Sequence, residues 1–229
     1  MACLAMHLAI GKKYLQNHKT ENESEFLDGT LAPDLANDKI ASHFGENKKP
    51  TTVRELLEFK MDIVKAANTI NLDSSFARAE FLHLICDDIF YRFVYSEELE
   101  KWTPIEVKQA MYDDYDFVTY YILNKYNIEL PESLVHLANN KQGKSQFFSA
   151  EAIDRFVDVV ASVDLFDSKK QILTDLPSFR NNLIKQLNLV KKPQLKVKWK
   201  IKNRLNKGGF YLLVIFVLLL LKLQLNFQI

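Results

Sequence analysis

Cysteine, glycine and proline are all scarce in this chain of 229 residues. Its two cysteines, Cys3 and Cys86, are too few for a disulfide framework or a CxxC metal site, and such sparse use fits a reducing cytoplasm. Six glycines and six prolines are also few, which favours long helices over turns. The chain before residue 190 contains no convincing segment of alternating apolar and polar residues, so we expect no strand there.

The features of a secretory signal are missing as well. No basic residue precedes the first apolar segment, and Lys12 and Lys13 cut this segment short. We therefore expect a cytoplasmic protein whose N-terminal residues form an amphipathic helix.

Acidic residues are absent from the end of the chain, since all 29 of them lie at or before Asp175. Residues 1–175 carry 19 basic residues and a net charge of −10, whereas the remainder carries 11 basic residues. The total charge of +1 therefore describes neither part. This asymmetry predicts a body over residues 1–190 and a tail over residues 191–229.

The tail is basic first and apolar afterwards. Four alternating lysines precede Phe210–Leu221, an apolar run of 12 residues that Lys222 interrupts. A transmembrane helix needs about 20 apolar residues, so the tail suits a C-terminal membrane anchor only if Lys222 is tolerated. The alternative is an aberrant extension, for instance from a shifted reading frame. Trp199 is the one aromatic residue among the lysines, so the pattern does not favour nucleic acid as a partner.

Helical spacing of apolar residues and N-cap signals predict an all-α, multi-helix bundle for the body. Two prolines are expected to limit helices: Pro33 ends a short one, and Pro177 interrupts the last. The other predicted helices span residues 1–19, 52–68, 75–97, 104–127, 131–140, 149–166 and 167–187.

Two polar residues stand on an apolar helix face in the segment from Ala79 to Tyr91. His83 and Asp87 are four residues apart, so they lie one turn apart on the same side of the helix. A buried charge is costly unless it is paired or bound to a metal, and imidazole and carboxylate are ordinary zinc ligands. The residues alone leave two readings open, a metal site and a His–Asp hydrogen bond inside a core.

Three further stretches add candidate ligands: His7 in an apolar segment, Asp34 after a proline, and His43 beside a phenylalanine. In this order they resemble, together with His83 and Asp87, the zinc-dependent phospholipase C family, whose wider relatives include the S1/P1-type nucleases. The resemblance covers roughly residues 1–95. The stretches that carry it are Met6–Ile10, Gly29–Asp34, Ser42–Phe44 and Phe81–Asp87.

The resemblance implies a bundle of the phospholipase C and P1 nuclease type that gathers these side chains around metal ions. His43, His83 and Asp87 would bind one metal ion, and His7 would help to bind another, with Asp87 able to bridge the two. Asp34 would be a further ligand or the general base that activates water.

The resemblance is incomplete, because full members carry a histidine where this chain has Phe93 and a later His-x3-Glu pair where it has His136 and Asn140. It therefore implies one or two metal ions rather than three. Imidazoles outnumber carboxylates among the candidate ligands, which favours zinc, although other divalent metals fit.

The expected function is hydrolysis of a phosphodiester or related phosphate ester, with a phospholipid as one candidate substrate, by metal-activated water. The alternative from a different class is a non-catalytic helical protein with a structural metal site. In a variant of that alternative, the tail makes it a membrane-tethered interaction module.

Overall fold

The computed structural model describes residues 3–47, 50–58, 61–94, 97–130 and 148–188. Within these ranges the chain is helical, and its β pairing is limited to an isolated bridge between Phe44 and Met61. The predicted all-α class is therefore confirmed. The helices are α1 (Leu4–Asn17), α2 (Glu23–Leu35), α3 (Lys39–Ser42), α4 (Val53–Glu58), α5 (Ile63–Thr69), α6 (Ser75–Val94), a short 3-10 helix (Glu97–Lys101), α7 (Pro104–Lys125), α8 (Ala150–Ala161) and α9 (Leu165–Leu187).

Helix α6 lies at the centre of the fold because it is apolar on nearly every side. From Phe81 to Phe90, every residue is at most 5% exposed. Helix α2 makes the most extensive contact with it, and α5 and α9 also pack against it. Each fully buried leucine, isoleucine or phenylalanine contributes about 1.5–3 kcal/mol of stability. This packing fixes α6, and with it His83 and Asp87.

A glycine lets α2 and α6 approach closely. A Cβ atom at Gly29 would overlap the backbone carbonyl oxygen of Phe76 and would lie 3.0 Å from the Cβ of Ala79. Only a residue without a side chain fits this contact. The close approach brings the C-terminal half of α2 beside α6.

Two predicted helix boundaries were wrong. Helix α2 continues through Pro33 to Leu35, so the proline removes a single backbone hydrogen bond without ending the helix, and two residues follow it in the helix. The helix predicted over residues 52–68 is two helices, because the Asp62 side chain caps a new start by accepting a hydrogen bond from the Lys65 backbone N–H. The bridge of Met61 to Phe44 also holds the chain out of helical conformation at this point.

The predicted interruption near Pro177 is confirmed. Asp175 has a φ of −153° inside α9, and its side chain accepts a hydrogen bond from the Ser178 backbone N–H. The carboxylate therefore caps the second half of α9.

The described residues belong to the first of two units into which the chain divides, Met1–Gln194. No helix among them is long and apolar enough to cross a bilayer. The predicted tail over residues 191–229 and the predicted helix over residues 131–140, with His136, lie outside the described residues. The division of the chain at residue 190 and the membrane anchor stay predictions.

Candidate metal centre

The five residues predicted as metal ligands lie together in the structure. Helix α1 supplies His7, the end of α2 supplies Asp34, the residue after α3 is His43, and α6 supplies His83 and Asp87. Four of these side chains are at most 1% exposed, and Asp34 is 6% exposed. The helical spacing of His83 and Asp87 does place them on one face, with His83 Nε2 3.7 Å from Asp87 Oδ2. We call these five residues the His–Asp cluster.

Backbone carbonyls fix the protonation of two imidazoles in the His–Asp cluster. His83 Nδ1 lies 2.8 Å from the Thr30 carbonyl oxygen, and His43 Nδ1 lies 2.7 Å from the Lys39 carbonyl oxygen. A carbonyl only accepts, so each Nδ1 must carry a proton, and a ring that carries this proton alone has a lone pair on Nε2. These two Nε2 atoms face each other at 3.2 Å. Two lone pairs at this distance repel unless a proton or a metal ion lies between them.

The spacing of the ligand atoms suits a zinc ion. In a tetrahedral site with bonds of 2.0–2.1 Å, neighbouring ligand atoms are about 3.3 Å apart. The Nε2 atoms of His43 and His83 are 3.2 Å apart, and Asp87 Oδ2 lies 3.3 Å from the first and 3.7 Å from the second. Asp34 Oδ1 lies 3.9 Å from His43 Nε2 and offers a fourth ligand.

The other carboxylate oxygens face His7. His7 Nε2 lies 3.4 Å from Asp87 Oδ1 and 3.8 Å from Asp34 Oδ2. Each carboxylate thus directs one oxygen toward His43 and the other toward His7. This is the arrangement that two neighbouring divalent cations with bridging carboxylates require.

Buried polar atoms without hydrogen-bond partners also fit a cation. Both ring nitrogens of His7 and Oδ1 of Asp34 are buried without such a partner. Leaving each of them unsatisfied costs about 1–3 kcal/mol, and a bound cation would remove this cost at His7 Nε2 and Asp34 Oδ1. The His7 ring stacks on that of His83, with centroids 3.6 Å apart, so its orientation is fixed by packing.

The ionisation states are those that metal ligands need. Burial lowers the pKa of His83, and the neighbouring His7 lowers it further, so the ring stays neutral. Burial alone would raise the pKa of Asp87, but the rings of His43 and His7 beside it favour the ionised carboxylate, and that pKa lies well below its usual range. A neutral imidazole and an ionised carboxylate can bind a metal ion without first losing a proton.

Sequence reasoning missed the groups that support the ligands. Besides the two carbonyls, the Ser42 hydroxyl donates a hydrogen bond to the Pro33 carbonyl oxygen over 2.8 Å and lies 3.1 Å from His43 Nδ1. It thereby ties His43 to the end of α2. Every residue has a carbonyl, so the two carbonyls left no signal in the sequence.

Comparisons of the chain with protein-family models, with curated proteins and with solved structures gave no match.

Proposed function

We propose that the protein is a zinc-dependent hydrolase of phosphate esters, whose metal centre is the His–Asp cluster. The observation that carries the proposal is the pair of Nε2 atoms of His43 and His83, which lie 3.2 Å apart beside the carboxylates of Asp87 and Asp34. A hydrogen bond between two neutral imidazole rings does not explain this arrangement, because both of their N–H protons already point to carbonyls.

Zinc bound here would supply a water of lowered pKa and positive charge for a phosphate ester. His43 and His83 would hold the metal through Nε2, while their Nδ1 protons stay on the Lys39 and Thr30 carbonyls. Asp34 is the least buried member of the His–Asp cluster, so it would accept the proton of the attacking water or complete the ligand set.

The resemblance to the zinc-dependent phospholipase C family supports the same proposal, because the five residues that it singles out are distant in sequence but lie within a few ångströms of one another. The proposal includes the fold type: the helices would form a bundle of the phospholipase C and P1 nuclease type. Three imidazoles against two carboxylates favour zinc over magnesium.

The burial of the His–Asp cluster favours a second candidate, a structural metal site in a non-catalytic protein. Four of the five side chains are at most 1% exposed, and a structural site has all its positions filled by protein ligands. An open coordination position for water separates the two candidates.

The test is hydrolysis by the full chain after it has been supplied with zinc. Bis(4-nitrophenyl) phosphate, 4-nitrophenyl phosphate and phosphatidylcholine vesicles serve as substrates, and bound zinc is measured in the same samples. We expect H83A to lose zinc and activity, and D34N to lower kcat by about 10²–10⁴-fold, the usual contribution of a general base. H18Q is the matched control, because His18 lies outside the His–Asp cluster and stacks on Tyr14.

Full zinc loading without hydrolysis of any of these esters would favour the structural site. Hydrolysis that H83A retains would refute the proposed centre.

A further inference from the structure

Lys39 stands where the His–Asp cluster meets solvent. Its ammonium lies 3.9 Å from Asp34 Oδ1, and its side chain is 52% exposed. Asp34 is itself the least buried residue of the cluster. The ammonium therefore lies beside the most exposed member of the His–Asp cluster.

The backbone of Lys39 is fixed to the metal centre. Its carbonyl oxygen lies 2.7 Å from His43 Nδ1, from which it accepts a hydrogen bond. The preceding Asp38 caps α3, since its Oδ1 accepts hydrogen bonds from the backbone N–H groups of Ile40 and Ala41, both at 3.0 Å. The backbone of Lys39 is thus held in place, while its long side chain is half-exposed.

The ion pair between Lys39 and Asp34 does not by itself explain the position of the lysine. At 3.9 Å, and with the lysine side chain 52% exposed, this ion pair contributes little to stability. With two divalent cations bound, the two carboxylates would leave a net charge of about +2 at the centre, and the ammonium would be repelled from it. Its most favourable partner is then an anion that lies on the metal ions.

The charge of the rest of the chain makes a local cation more important. Residues 1–175 carry 19 basic and 29 acidic residues, so their long-range field repels a phosphate ester. Solvent ions screen that field beyond about 10 Å, whereas a contact at the mouth of the cluster is not screened in this way.

We propose that Lys39 binds a non-bridging phosphoryl oxygen of the substrate at the mouth of the His–Asp cluster. The proposal rests on the proposed function and adds the residue that recognises the anionic group. Lys39 acts as a positive point charge with N–H donors, and no proton or covalent bond changes hands.

The experiment compares the zinc-loaded full chain with K39M, K39R and a control, K65M, whose lysine is exposed on α5. Calorimetry measures the affinity for inorganic phosphate, and bis(4-nitrophenyl) phosphate gives KM and kcat separately. We expect K39M to weaken phosphate binding and raise KM by about tenfold, the effect of one lost charge-assisted hydrogen bond, with kcat nearly unchanged. K39R and K65M should behave as the wild type, and all four proteins should hold equal amounts of zinc.

Equal phosphate affinity in K39M and the wild type, including no measurable affinity in either, would overturn the role of Lys39 while the metal centre stands. Weaker phosphate binding by K39M without hydrolysis by any form would support Lys39 and refute the hydrolase. Failure of the wild type to bind zinc would overturn both.

Discussion

A methyl group added at Gly29 tests whether the contact between α2 and α6 positions the metal centre. In the G29A variant, the new Cβ would overlap the Phe76 carbonyl oxygen and lie 3.0 Å from the Ala79 Cβ. Both are part of α6, and a backbone carbonyl cannot rotate away as a side chain can. The two helices must therefore separate.

Two effects of opposite sign determine how much G29A changes the stability of the protein. Alanine in place of a helical glycine stabilises by about 1 kcal/mol. Overpacking in a buried contact costs about 1–3 kcal/mol, and a backbone obstacle places G29A at the upper end of that range. We expect a net loss of about 2 kcal/mol, which lowers Tm by about 4–8 °C in a protein of this size.

The separation of the helices should also reach the metal ligands. Asp34 and the Thr30 carbonyl belong to α2, whereas His83 belongs to α6. A shift between the helices lengthens the 2.8 Å contact of His83 Nδ1 with Thr30, and loss of such a support weakens metal binding by about 10–100-fold.

Thermal unfolding followed by circular dichroism, and zinc affinity from competition with a chelator, measure the two effects. D28A is the matched control, because Asp28 precedes Gly29 on α2, is exposed, and gains helix propensity without a clash. A G29A protein as stable as D28A, with unchanged zinc affinity, would refute the reasoning.

Two further predictions concern stability. R180L should lower the free energy of unfolding by about 1–3 kcal/mol, as measured by urea denaturation, because it removes the two hydrogen bonds of 2.7 and 2.8 Å that Arg180 donates to the buried Asp88. The control K185L changes an exposed lysine of the same helix and should have little effect. The metal-free protein should lose stability as pH falls below about 6.5. Burial and His7 lower the pKa of His83 in the folded protein, so in this pH range His83 is protonated in the unfolded chain but not in the folded one. The stability of H83Q should depend less on pH over the same range. Equal pH dependence of stability in H83Q and the wild type would contradict the role given to His83.

The i, i+4 spacing of His83 and Asp87 within an apolar helix was sufficient to predict their shared, buried face. Local signals of this kind work because the helix itself sets the geometry. The same holds for Pro177, where the break in α9 follows from local backbone sterics together with an Asp175 cap.

Interactions between distant segments left no such signal. The bond between Arg180 and Asp88 joins residues 92 positions apart, and nothing in either helix points to the other. From the sequence alone, Gly29 is only a residue of low helix propensity, and its role in the close contact is visible once α6 is seen to lie against it. Local sterics at Pro33 predict a helix end, but α2 continues for two more residues, which the sequence near Pro33 does not indicate.

The most direct test of the metal centre is the zinc content of the purified full chain, of H7A and of H83A, by elemental analysis after zinc has been supplied. Among the described residues, two groups could hold a metal ion, and His83 belongs to each: one contains His7 and Asp87, the other Asp34 and His43, with the ligand atoms of a group within 4.8 Å of one another. We predict two zinc ions per wild-type chain, one in H7A and at most one in H83A, because the one free nitrogen of His83 can bind a single ion. A wild-type protein without zinc, or an H83A protein that keeps both ions, would contradict the account.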